Sequence, residues 1–290
     1  MRASASRDPV AYIRAVPYSA VNHQPLLLDI TQPATRPAAL RPAIVQIHGG
    51  GWIKGEREAE ANDDLAAHGF FTVSIDYRLA PCHTFPAPLE DCKAAVRWLR
   101  AHAATYHVDP GRIGVWGGSA GGHLAALLGA TGDRPELEGT GGWPEYSSRV
   151  QAVVSICGAS DLAQEDGAWL DDPTSEPAQL FGGTVRTRPE LVQRANPIRY
   201  IGPETPPFLL IHGDQDEIAP VRQSQMLSEA LTAAGVEVEF VCAQGERHSF
   251  STPWQERIKE LRRAFFLKHL ARSDAGDGHT LDARPDSSPS

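Results

Sequence analysis

The chain predicts an α/β fold with one mostly parallel central sheet and helices on both faces. Two observations carry that expectation. Short apolar runs of strand length alternate with longer segments of helical period, the pattern of a buried parallel sheet. Between one such strand, Arg112-Ile113-Gly114-Val115-Trp116, and one such helix, Gly122 to Leu128, lies a turn of small residues, Gly117-Gly118-Ser119-Ala120-Gly121. The length of 290 residues with 41% hydrophobic content fits one large domain better than two.

In order, a pair of strands is expected at 10–17 and 24–30, with a turn around Asn22 and His23. A proline-rich connection from Gln32 to Pro42 leads to an apolar strand at 43–47. A helix from Glu56 to His68 and a strand from Phe70 to Asp76 follow. Between Leu89 and Tyr106 a helix is expected, since Ala95, Val96, Trp98, Leu99 and His102 recur at helical spacing. After the strand and helix around Ser119 come strands at 150–157, 207–211 and 236–241, and a last helix from Pro253 to Leu270. Residues 1–271 read as a single domain. Residues 272–290 are polar, rich in Asp, Ser and Pro, and read as a disordered tail.

The net charge of −9 argues against nucleic acid and anionic membranes as partners. No run approaches the roughly eighteen apolar residues of a membrane span. No hydrophobic stretch follows Met1-Arg2, so no signal peptide is read and a cytoplasmic location is expected, with a secreted mature form as the alternative. Cys82, Cys92, Cys157 and Cys242 show no metal spacing. Cys157 and Cys242 fall in strand patterns as small core residues, whereas Cys82 and Cys92 could bridge. No nucleotide-binding glycine motif or His-Glu-x-x-His occurs, and neither cofactor nor metal is expected.

The turn at 117–121 is a Gly-x-Ser-x-Gly between strand and helix, the geometry of a nucleophile elbow. Small residues at 117, 118, 120 and 121 are expected to admit a close approach of strand and helix. Upstream, the strand at 43–47 ends in His48-Gly49-Gly50-Gly51-Trp52, a loop whose side-chain-free amides can face a developing negative charge. The amides of Gly50, Gly51 and Ala120 are the candidate donors. Downstream, the strand at 207–211 runs into His212-Gly213-Asp214-Gln215-Asp216, and the strand at 236–241 leads towards His248. Serine needs a base, and the base needs a carboxylate that fixes its tautomer. Ser119 is therefore assigned as nucleophile, His248 as general base and acid, and Asp216 as the orienting acid, with Asp214 its rival. The order Ser, Asp, His along the chain is that of α/β hydrolases. His48 and His212 read as structural, bonding loop backbone, and Asp76, Arg78, Glu90 and Asp91 as ion pairs.

These stretches, with Ile75-Asp76-Tyr77-Arg78-Leu79-Ala80-Pro81, make the chain resemble the hormone-sensitive-lipase-like α/β hydrolases from about residue 43 to 250. It is more closely similar to bacterial esterases grouped with acetyl-xylan and feruloyl esterases. The resemblance implies the α/β-hydrolase fold, an oxyanion hole at Gly50, Gly51 and Ala120, and hydrolysis of a small-molecule ester. His123 stands where many members have asparagine, and with Trp52 it leans the resemblance towards carbohydrate esters. The long segments 131–149 and 160–206 are expected to leave the site end of the strands. They would form a small loop-built lid, with Trp143, Trp169 and Phe181 as pocket walls beside Trp52 and His123. The short stretch before His48 implies an open site. A formamidase or amidase on the same residues, or a non-enzymatic small-molecule binder on this fold, are the alternatives.

Overall fold

The computed structural model describes residues 9–21, 24–35, 37–164 and 170–271. The expected turn at Asn22-His23, the candidate wall Trp169 and the tail at 272–290 lie outside the described residues. Eight strands form one sheet in the order β1-β2-β4-β3-β5-β6-β7-β8. These are β1 (Val10–Val21), β2 (Gln24–Pro33), β3 (Arg41–Ile47), β4 (Phe71–Ile75), β5 (Val108–Gly118), β6 (Ala152–Ile156), β7 (Phe208–Gly213) and β8 (Val238–Ala243). Strands β1 and β2 form an antiparallel hairpin on the antiparallel edge of β4, and every pairing from β4 to β8 is parallel.

Side-chain alternation divides the apolar residues between the two faces. Val45, Val115, Val153 and Leu210 pack in a cluster with residues of α2 (Ala87–Ala101), α4 (Ala120–Ala130) and α7 (Arg222–Ala233). Ile44, Val154, Leu209 and Ile211 join a second cluster with Leu65 of α1 (Asp63–Ala66) and Phe265 and Phe266 of α8 (Thr252–His269). Helices thus cover both faces.

Three elements differ from expectation. The helix expected over 56–68 shrinks to a 3-10 turn at Ala59–Asn62 followed by α1. The N–H groups of Arg57 and Glu58 are taken by Asp76 Oδ1 and Ser74 Oγ, and the Arg57 side chain bonds Asp29 and Asp76. Those residues are therefore held extended against the sheet. The helix expected over 89–106 starts at Ala87, with Pro88 in its first turn, and breaks at His102 before α3 (Ala103–Tyr106). The segment 131–149 joins the end of α4 to the start of β6, which places it at the rim opposite the C-terminal strand ends. Only the segment 160–206 leaves the site end. It carries α5 (Glu176–Phe181) and α6 (Pro189–Arg194), so the cover is partly helical. Ser175 caps α5 by accepting from the Ala178 N–H.

The misplaced segment has its own anchor. Lys93 of α2 is fully buried, and its Nζ donates to Glu138 Oε1 (2.7 Å), Thr131 O (2.5 Å) and Ser148 Oγ (3.2 Å). Glu138 also accepts from Arg97 at 2.5 Å. Burial lowers the Lys93 pKa, and the Glu138 carboxylate opposes that shift. Deleting the shared anion would leave Lys93 and Arg97 buried with only carbonyl and hydroxyl acceptors and without its charge. Glu138→Ala is therefore expected to cost about 3–5 kcal/mol in urea unfolding. A loss below about 1 kcal/mol, typical of a surface pair, would contradict this role.

Candidate active site

The C-terminal ends of β3, β5, β7 and β8 converge on one place. It is also where the strand order reverses, since the chain leaves β3 for β4 on one side and returns with β5 on the other. Open α/β sheets form crevices at such switch points.

Ser119 follows β5 with φ 56° and ψ −123° and precedes the first residue of α4. A positive φ in a serine costs about 1–3 kcal/mol and persists only when its surroundings enforce it. Its N–H donates to Ile156 O (2.8 Å) and its carbonyl accepts from the His123 N–H (3.0 Å). The backbone is crowded on both sides: a Cβ at Gly117 would lie 2.4 Å from Gly121 C, and one at Gly121 2.2 Å from Ile47 O. Gly118 departs from the expectation, because its nearest neighbour would be Ile156 O at 4.0 Å.

Ser119 Oγ donates to His248 Nε2 (2.9 Å), and His248 Nδ1–H donates to Asp216 Oδ2 (2.7 Å). Asp216 Oδ1 accepts the N–H groups of Ile218 and Ala219, each at 2.9 Å. Burial alone would raise the Asp216 pKa. The hydrogen bonds from His212, His248 and the two amides outweigh it and hold the carboxyl well below the usual range. Asp214 points elsewhere, its Oδ1 accepting the Gly245 N–H at 2.6 Å.

His212 does more than the loop bonding expected of it. Its ring lies between Ser224 Oγ and Ala219 O, each at 2.7 Å, with Nε2 3.2 Å from Asp216 Oδ2. The four-residue spacing to Asp216 was the available sequence signal. Cys157, expected as plain core, follows β6 with φ 49° and borders the cavity beside Ser119. Burial, with the Asp216 carboxylate adding to it, pushes its thiol well up, so it stays protonated beside the serine. Cys82 is exposed and Cys92 buried, and both are free thiols.

The glycine loop lies against the serine: a Cβ at Gly49 would be 3.5 Å from Ser119 Cβ. The His48 ring donates to Gly49 O (2.7 Å) and stacks on Tyr77 at 4.2 Å, while Gly50 O accepts from Ile53 and Lys54. Gly50, Gly51 and Trp52 all have positive φ. Among the described residues, no turn, loop or side-chain hydrogen bond takes the N–H of Gly50, Gly51 or Ala120. Gly51 and Ala120 line a cavity of about 220 Å³ with Ser119, Trp52, Leu162 and Glu176; Gly50 sits one residue back.

Three candidate pocket walls stand away from this cavity. Trp143 belongs to the opposite-rim segment, donating to Tyr18 O (3.3 Å) and packing edge-on against His102. Phe181 is buried against Phe85, on the inner side of α5. His123 is 1% exposed and lies behind the loop: it accepts the Trp52 indole N–H at Nδ1 (3.2 Å) and donates from Nε2 to Ala195 O (2.7 Å). It holds Trp52 without facing the cavity.

The BD-FAE family matches residues 28–231 of this geometry's chain. The chain belongs to the BD-FAE family. It is 35% identical to esterase LipC of Mycobacterium tuberculosis (strain ATCC 25618 / H37Rv) over 86% of its length and 63% of that protein. It spans about half to two thirds of the length of LipC and of two further mycobacterial relatives, esterase LipQ and the probable carboxylic ester hydrolase LipM. Among solved structures it resembles a truncated carbohydrate esterase from gut microbiota, at TM-score 0.78, 28% identity and coverage of 93% and 99% of the two chains. It also resembles a propionate-bound thermophilic esterase from the Planctomycetes species Thermogutta terrifontis, at TM-score 0.74, 30% identity and coverage of 89% and 96%. The α/β-hydrolase fold is common to these neighbours.

Among the described residues, two side-chain groups bring three possible metal-ligand atoms within 4.8 Å of one another: Cys157, Asp216 and His248, and, at the surface, Glu237, Glu239 and His269. In the first, both His248 nitrogens are already engaged by Asp216 and Ser119. In the second, Lys268 bonds both glutamates.

Burial lowers the His123 pKa to about 4 against an ordinary value of 6.5, the bond to Ala195 O only partly opposing it. The neutral ring is also the form that can accept from Trp52. Between those values the unfolded chain binds a proton that the folded chain refuses, so stability rises with pH. This contribution is complete above about pH 7 and declines towards pH 4, by up to about 3 kcal/mol. Urea midpoints from pH 7.5 down to 4.5 are expected to fall more steeply for the unmodified chain than for His123→Asn; equal slopes would contradict the account.

Proposed function

We propose that this chain is a serine carboxylesterase acting on short-chain, acetyl-type esters, including those of acetylated carbohydrates. The observation that carries the reading is the continuous hydrogen-bonded line from Asp216 through His248 to Ser119, ending beside free amides at a small cavity. A volume of about 220 Å³ is below the range of drug-sized sites, about 300–1,000 Å³. It suits a short acyl group. The esterase names of the relatives, and the carbohydrate esterase and propionate-bound esterase among the structural neighbours, point the same way.

In the mechanism, His248 Nε2 takes the Ser119 hydroxyl proton as Oγ forms a bond to the ester carbonyl carbon. The carbonyl oxygen becomes an oxyanion against the amides of Gly50, Gly51 and Ala120, each such donor being worth about 10²–10³ in rate. Asp216 holds the Nδ1–H tautomer and balances the imidazolium. The C–O bond to the alcohol breaks as His248 returns the proton to the leaving oxygen. Water then attacks the acyl-enzyme by the same proton path and releases the carboxylic acid. Cys157, kept as a thiol, does not compete as nucleophile.

The test is hydrolysis of p-nitrophenyl esters of increasing acyl length. Acetate is expected to be among the best, with kcat for Ser119→Ala lower by roughly 10⁴–10⁶. Asp216→Asn should be severely slowed and Asp214→Asn close to the unmodified chain. Retention of a tenth of the turnover by Ser119→Ala would end the assignment. Turnover of N-formyl amides above that of esters would instead favour the amidase alternative.

A further inference from the structure

Glu176, the first residue of α5, has its carboxylate set against the glycine loop. A Cβ built on Gly51 would lie 2.2 Å from both Cδ and Oε2 of Glu176 and 2.5 Å from Oε1. The same carboxylate lines the cavity that holds Ser119, Trp52 and Ala120, and among the lining residues it is the one carboxylate. Among the described residues it has neither a hydrogen bond nor an ion pair. Apart from Ser119, the other polar lining groups are committed to the fold. Ser175 Oγ donates to Asp172 O and accepts from Ala178 N, and the Gln223 carboxamide bonds Ser160 and Asp161.

A half-buried anion with no partner inside the protein still has water while the cavity is open. When an ester fills the cavity that water leaves, and the desolvated carboxylate then needs a donor or a positive charge from the substrate. A second anion brought to the same place meets like-charge repulsion in a medium that screens it weakly. Trp52 offers an aromatic surface in the same cavity, which also favours a cation.

We propose that Glu176 sets the charge selectivity of this site: it pairs with a cationic or hydroxyl donor carried by the ester and rejects esters that carry an anion there. The inference rests on the ester-hydrolysis reading. Glu176 takes no part in the bond-breaking steps, and its effect falls on which substrates reach Ser119.

The experiment compares kcat/KM within matched acetate esters. Acetylcholine is set against 3,3-dimethylbutyl acetate, its uncharged isostere. The anion acetoxyacetate is set against propyl acetate, and 2-hydroxyethyl acetate against the same propyl ester. The unmodified chain is expected to disfavour the anion by about tenfold and to favour acetylcholine or the hydroxyethyl ester by about five- to tenfold. A preference confined to acetylcholine assigns the pairing to a cation, and one confined to the hydroxyethyl ester assigns it to a neutral polyol. In Glu176→Gln these ratios should shrink to within about threefold, and in Glu176→Lys the anion should become the better substrate. Ratios near one in the unmodified chain, or ratios unchanged in Glu176→Gln, overturn the inference while leaving the esterase reading intact. Failure of the unmodified chain to turn over any ester in a Ser119-dependent way overturns the reading, and the inference with it.

Discussion

The positive φ of Ser119 is the constraint on which the rest of the site depends. A serine does not rest at φ 56° unless its neighbours leave it no alternative. Here the parallel pairing of β5 with β3 and β6 brings the Ile47 and Ile156 carbonyls up to the turn from both sides. The turn answers with residues that have no side chain where contact is closest. Once the turn is set, Oγ stands above the strand ends and the Ala120 amide begins a helix at its side. The loops after β3, β7 and β8 then need only short reaches to meet it.

Electrostatics complete what the backbone begins. Asp216 is almost fully enclosed, yet two backbone amides and two imidazoles converge on it. That concentration of donors keeps it ionised despite burial, and it is His212, from the end of β7, that joins the carboxylate to the strand scaffold. The Lys93–Glu138–Arg97 cluster follows the same rule at the other rim, where buried charge is tolerated because each partner is in place. Glu176 breaks that rule. Its carboxylate is left to be satisfied from outside, in the cavity where an outside molecule would bind.

Much of this was legible in the sequence because strands and tight glycine turns are local. Apolar runs marked the strands of the parallel sheet, and the glycine patterns placed two loops that the structure brings together beside Ser119. That Asp216 and His248 would come together with Ser119 was readable from their position after the last two strands. What was not legible depends on distant partners. The helix expected at 56–68 lost its first turns because Asp76 and Ser74, across the sheet, bind the amides of Arg57 and Glu58. Segment 131–149 has the length of a lid, but it follows a helix and precedes a strand, which sets it at the opposite rim. His123 and Phe181 carry types expected in a pocket, but their neighbours, Ala195 and Phe85, turn them inward. Glu176 gave no signal at all, since nothing in its local sequence tells that α5 will fold back over Gly51.

The central claim is that Ser119 is the one activated nucleophile, and labelling with a serine-directed fluorophosphonate followed by peptide mass mapping tests it most directly. The account predicts a single adduct, on the peptide containing Ser119, formed rapidly by the unmodified chain and lost in His248→Ala, where no base takes the hydroxyl proton. An adduct on another residue, or equal labelling of Ser119 in His248→Ala, would contradict it.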